Sequence, residues 1–162
     1  MGAASNPDDP DDAAAMRRHA AALADAMVAV IPGWVEAMVL ARSAESGVDR
    51  SLAAEEATAA STAAIADGEP RLRELLAADV DAQTSTPLAI VRSLVRYPNE
   101  SLDRLGVAPN PRADFDRRAF PDDTHGLSPA AFADVHPDLH ELGITWGAAK
   151  AHIHLRRHKP QV

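Results

Sequence analysis

The sequence predicts an all-α protein: a helical bundle, with a C-terminal segment of short helices and one longer helix packed on it. Three observations predict it. Apolar residues recur at alternating steps of three and four, the period of a helix face. Helix start and stop residues punctuate the chain, among them Thr86-Pro87, Gly47 and Gly106. No segment sustains the alternation of a strand, and there is neither a hairpin signal nor a repeat of 20–50 residue period.

The first stripe runs through Ala20, Leu23, Met27, Val30, Trp34, Ala37 and Ala41. Asp11 or Asp12 is placed to cap its helix, because a short carboxylate accepts the free N–H groups of the first turn. Pro32 lies inside the stripe and either kinks one long helix or, with Gly33, separates two. The stripe keeps its phase across Pro32, which favours one kinked helix. Gly47 ends it. Asp49 caps the next helix, which is expected to reach about Ala66 and stop at Gly68. Its only large apolar groups are Leu52 and Ile65, so its partners must approach closely. A further helix is expected over about Pro70 to Asp81, with Leu72, Leu75, Leu76 and Val80 inward. Thr86 before Pro87 opens the helix of Leu88, Val91, Val95, Pro98, Leu102 and Leu105; Pro98 must bend or split it, and Gly106 ends it.

From Val107 the composition shifts to Pro, Asp, His and Phe. Short helices are expected over Asp114 to Phe120 and after Ser128-Pro129. The last helix opens at His136-Pro137 and carries Leu139, Leu142, Trp146, Ala149 and Ile153 on one side. Gly143, Gly147 and Ala151 form a row of small residues that lets a neighbouring helix come close. The expected organisation is a disordered acidic tail over 1–11, one helical domain over 12–158, and a short tail over 159–162. Within the domain, 12–106 form an Ala-rich bundle and 107–158 a wrap and last helix.

Composition narrows the function classes. With 162 residues the chain is long enough for one self-sufficient core. It has no cysteine, so disulfides and thiolate metal sites are excluded and a reducing cytoplasm is the natural setting. The formal net charge of −8 opposes general binding to phosphates. Arg156, Arg157 and Lys159 are the one local basic group considered for nucleic acid. The run from Ala26 to Ala41 is interrupted by Pro32, Gly33 and Glu36 and falls short of the ~20 apolar residues of a spanning helix, so it reads as core, with no membrane partner. The N-terminus has no signal-peptide pattern. Ala-rich helices bury little apolar area per residue, and self-association offsets that, which points to a homodimer. The excess of Arg over Lys, with abundant Ala, Asp and Pro, marks a GC-rich bacterial genome.

Six of the seven histidines lie between His125 and His158. His136/His140 and His154/His158 each have i, i+4 spacing, which places two imidazoles on one helix face and suits a metal ion. The pairs are about 21 Å apart along a straight helix and cannot share one ion. Basic residues at a helix C-terminus complement its dipole, which accounts for the second pair without an ion. The candidate metal ligands are therefore His136 and His140 with His125, Asp122 and Asp123. Zinc or another divalent ion would be the occupant, and its chemistry would be the acidification of a bound water. Asp79-x-Asp81 sets two carboxylates against the dipole at an expected helix end, either as a site or as a solvated terminus.

His136 and His140 resemble the His-x3-His pair of the DinB/YfiT helical-bundle metalloenzymes. That resemblance implies a three-histidine metal site and hydrolase or transferase chemistry. The family draws its other histidine from an early core helix, where this chain offers only His19, one residue off the stripe. The stretches Thr86-Pro87-Leu88, Tyr97-Pro98-Asn99-Glu100, Phe120-Pro121-Asp122-Asp123 and Trp146-Gly147-Ala148-Ala149-Lys150 are similar to a family of helical proteins of high-GC bacteria with no known activity. The sequence thus favours a helical interaction or regulatory protein acting as a homo-oligomer, with no cofactor and an unidentified protein partner. The alternative is a metal-dependent enzyme of the DinB-like type.

Overall fold

The computed structural model describes residues 9–108, 118 and 129–160, and every regular element among them is helical. In chain order they are α1 (Pro10–Glu45), α2 (Arg50–Ala77), a 3-10 turn (Val80–Ala82), α3 (Pro87–Leu94), α4 (Arg96–Arg104), α5 (Phe132–Val135) and α6 (Leu139–Arg157). The all-α bundle expected from the sequence is the observed fold.

α1 and α2 form a long antiparallel hairpin. Its register is pinned by Arg73 to Asp25 at 2.9 Å and by the Ser61 hydroxyl donating to Glu36 at 2.9 Å. Gly47 takes φ +72°, and the Gly47 and Val48 amides donate back to the Ala44 and Ser43 carbonyls. This Schellman turn ends α1 where the sequence places the stop. Asp49 then caps α2 by accepting from the amides of Ser51 and Leu52. At the other end of α1 the cap is Asp9, which accepts from the Asp11 amide, and Pro10 takes the first helical position. The helix thus starts before the expected Asp11 or Asp12, since Pro10 needs no N–H partner and its φ suits a helix. Of the expected acidic tail, residues 1–8 lie outside the described residues.

α1 is one helix across Pro32. Its buried row differs from the expected stripe beyond Met27: it passes through Ile31, Val35 and Val39, each 0% exposed, while Ala37 and Ala41 face out. Steps of four turn the row by about 40° each, so the buried side rotates along the helix. The cause is tertiary. The start of α1 meets the end of α6, through Asp12 and Arg156, while its end meets the segment after α4, through Arg42 and the Ala108 carbonyl.

α2 does not stop at Gly68, and the helix expected from Pro70 is its continuation. Ala66 and Pro70 lie on the exposed side, where water can take the backbone bond that Pro70 forfeits. Gly68 is buried beneath α3: a Cβ there would stand 2.6 Å from Leu94 Cδ1. Ala53, Ala57, Ala60 and Ala64 are buried along the same helix, the close approach that its small residues require.

α3 begins as expected, with Thr86 accepting from the Ala89 amide and Pro87 at the first position. Pro98 splits the segment rather than bending it. Its ring crowds the carbonyl four residues back, that of Leu94, and α3 ends there. α4 closes on a second Schellman turn at Gly106, φ +71°. It is tied to α2 by Arg104 to Glu56 at 2.9 Å and by the Ser101 hydroxyl donating to the Glu56 carbonyl.

The hydrogen bond from Arg104 is the main reason that the Glu56 carboxyl is held below its ordinary value of 4.5. A carboxyl depressed in the folded state stabilises the fold above its unfolded value, and that contribution disappears as pH falls through the folded value. Because Arg104 is 54% exposed, Arg104→Gln is expected to lower stability at neutral pH by no more than about 1 kcal/mol. Urea unfolding should show the difference between variant and native chain shrink as pH falls below 4.5.

The helix expected over Asp114 to Phe120 lies outside the described residues except for Arg118. α5 starts at Phe132, later than Ser128-Pro129 suggests, because Asp134 gathers the Ala130 and Ala131 amides into the preceding turn. α6 buries Leu139, Gly143, Trp146 and Ile153. Gly143 abuts the Phe132 ring, which fills the space of the missing Cβ, whereas nothing lies within 4 Å of where a Cβ would stand on Gly147.

Candidate functional site

Of the ligands expected from sequence, the structure describes two. His136 precedes α6, and its Nδ1 accepts the Asp138 amide at 3.1 Å, so that nitrogen serves the opening turn of the helix. The ring is 43% exposed and lies 3.6 Å from the Asp138 carboxylate, itself in solvent. His140 is exposed on the first turn of α6, and His19 is half-buried on α1. His125, Asp122 and Asp123 lie outside the described residues.

Charged side chains converge instead at the opposite end of α6, where it meets the start of α1 and the turn after α2. Asp79 opens the 3-10 turn by accepting from the Asp81 amide at 3.0 Å. That arrangement turns both carboxylates toward α6. Arg157 donates to Asp79 Oδ2 at 2.8 Å and to Asp81 Oδ2 at 3.1 Å. The other oxygen of Asp81, Oδ1, faces His158 Nε2 at 3.1 Å and His154 Nδ1 at 3.5 Å. The two imidazoles stand with centroids 4.4 Å apart, on successive turns of one helix face.

A parallel arrangement binds α1 to α6, with Asp12 paired to Arg156 and 3.6 Å from His152. Between the two charged groups runs a groove with Met16, Leu76, Val80 and Ile153 on its floor and Asp12 and Arg157 on its rim.

The electrostatics follow from these contacts. The Asp79 carboxyl is held below the usual range first by Arg157 and next by the Asp81 amide. The Asp81 carboxyl is also held down, chiefly by the hydrogen bond from His158; loss of hydration opposes this and Arg157 reinforces it. The same pairs raise the pKa of Arg157. Two of the three cations of the C-terminal basic group, Arg156 and Arg157, thus already face carboxylates.

In sequence the His154/His158 pair and the Asp79-x-Asp81 pair are separate signals. Nothing local joins them, because they are more than 70 residues apart and meet only through the return of α6 along α1. The one local signal was the unfavourable placing of two carboxylates at an expected helix end. The structure resolves it: α2 ends at Ala77, and the carboxylates answer Arg157.

No protein-family model, no curated protein and no solved structure matches this chain.

Proposed function

We propose that this protein is a helical interaction module that acts as a homo-oligomer, and that the outer face of α1 carries the contact. One observation supports it above others. Contrary to the expectation from Ala26 to Ala41, α1 is long and apolar enough, by length and composition, to cross a membrane, and only 39% of its apolar 18-residue window is buried in the bundle. Leu23, Met27, Ile31, Val35 and Val39 form its buried side. The opposite side exposes Gly33, Ala37, Ala41 and Ala44, with Leu40 at 40% exposure.

Small side chains on a long helix permit close packing against an identical helix, and burying them adds apolar area that the Ala-rich core lacks. Two-fold self-pairing is the commonest way to cover such a face.

Light scattering at micromolar concentration tests this reading. The native chain should give twice the monomer mass. Ala37→Glu should weaken association at least tenfold, equivalent to about 1.4 kcal/mol, by placing a charge in the contact. Since Ala37 is exposed, the variant should keep the helical content of the native chain. A native chain that is monomeric at every concentration would overturn the proposal.

A further inference from the structure

We propose that Asp81, His154 and His158 form a binding site for a late first-row divalent cation of the zinc class, joining the turn after α2 to the last turns of α6. Each of the three offers one ligand atom, and these atoms all lie within 4.8 Å of one another. Zinc bonds to imidazole nitrogen and carboxylate oxygen of about 2.0–2.1 Å make the edge of a tetrahedron about 3.3–3.4 Å. The two separations from Asp81 Oδ1, 3.1 Å to His158 Nε2 and 3.5 Å to His154 Nδ1, bracket that edge. The third separation, between the two imidazole nitrogens, lies within 4.8 Å, so the side chains must close on a cation for it to be held.

Two further features fit a cation. Arg157 holds Asp81 through Oδ2, which leaves Oδ1 turned to the imidazoles, in the way an outer hydrogen bond orients a ligating carboxylate. His154 lies in the last turn of α6 and His158 is its C-cap, where the free carbonyls favour positive charge. Two imidazoles and one carboxylate select against calcium and magnesium, which take oxygen ligands, and suit zinc, copper or nickel. Three protein ligands leave one position of a tetrahedral shell to solvent.

The site is separate from the outer face of α1 and stands independently of self-association. It also differs from the His136/His140 set, and one experiment separates the two. The full chain, without a histidine tag, is titrated with zinc chloride in a buffer free of chelators, by calorimetry. One equivalent per chain should bind. Asp81→Asn, His154→Ala and His158→Ala should each weaken binding at least tenfold. His136→Ala with His140→Ala should leave it unchanged.

Zinc should also raise the melting temperature of the native chain and not that of Asp81→Asn, since the ion links two elements that separate on unfolding. The three side chains are 39%, 59% and 55% exposed, so the variants should fold. Three results would each overturn the proposal: no binding to the native chain at 100 µM zinc, undiminished binding in His158→Ala, or loss of binding in the His136/His140 variant.

Discussion

Leu94→Ala is expected to lower the unfolding free energy by about 2–5 kcal/mol, the cost of opening a cavity at a fully buried leucine. The informative experiment pairs it with Gly68→Ala. In the native chain a Cβ at Gly68 would press on Leu94 Cδ1 at 2.6 Å. Crowding a packed core costs about 1–3 kcal/mol. Removing a mid-helix glycine returns about 1 kcal/mol. The single variant is therefore expected to be destabilised by about 0–2 kcal/mol once the two are set against each other.

In the Leu94→Ala background the obstruction is gone. The helix gain remains and the new methyl fills part of the cavity, so the same substitution should stabilise. A sign reversal of this kind corresponds to a coupling of about 1–3 kcal/mol in a double-mutant cycle. Equal effects in both backgrounds would show that Leu94 does not rest on Gly68, and the account of why α2 passes through a glycine would fail.

Trp146→Ala is expected to lower stability by about 3–5 kcal/mol, since the indole is 6% exposed and packs in the core shared by α1 and α6. For a chain of this size that corresponds to a fall in melting temperature of roughly 6–20 °C. The shape of the transition matters as much as its position. If residues 129–160 belong to the same cooperative unit as the hairpin, circular dichroism should show one transition, shifted as a whole. Two transitions, with only the smaller one moved, would mean that α6 melts as an appendage on a separately stable hairpin. The ion pairs of Asp12 with Arg156 and of Arg157 with Asp79 cross this boundary, but surface pairs contribute little and cannot substitute for the indole.

Much of the fold is legible in the chain because its signals are local. A glycine at φ above zero ends a helix by its own conformational freedom, and Gly47 and Gly106 do so where expected. A hydroxyl before proline opens one, as Thr86 does for α3, and an acid before a helical run caps it, as Asp49 does for α2. Gly68 and Pro70 carry the same local signals with the opposite outcome. Nothing near them in sequence reveals that Leu94 needs the space above Gly68 or that Pro70 faces water. The phase of α1 beyond Met27 failed to read for a related reason. Alanine, valine and isoleucine nearly encircle the helix there, and the neighbours choose which of them to bury.

The candidate site divides in the same way. Its histidines were visible because i, i+4 spacing is a property of one helix. Their carboxylate was not, because Asp81 reaches them from a turn placed by the length of α2 and the antiparallel return of α6.

The sequence by itself determined the helical class, the caps of α2 and α3 and the two left-handed stops. Each depends on residues within a few positions of one another. Only the tertiary structure decided that α2 is one helix, which side of α1 faces out, and that Asp79 and Asp81 meet Arg157, His154 and His158. Those outcomes depend on close approach between segments distant along the chain, where the space left by one side chain is set by another.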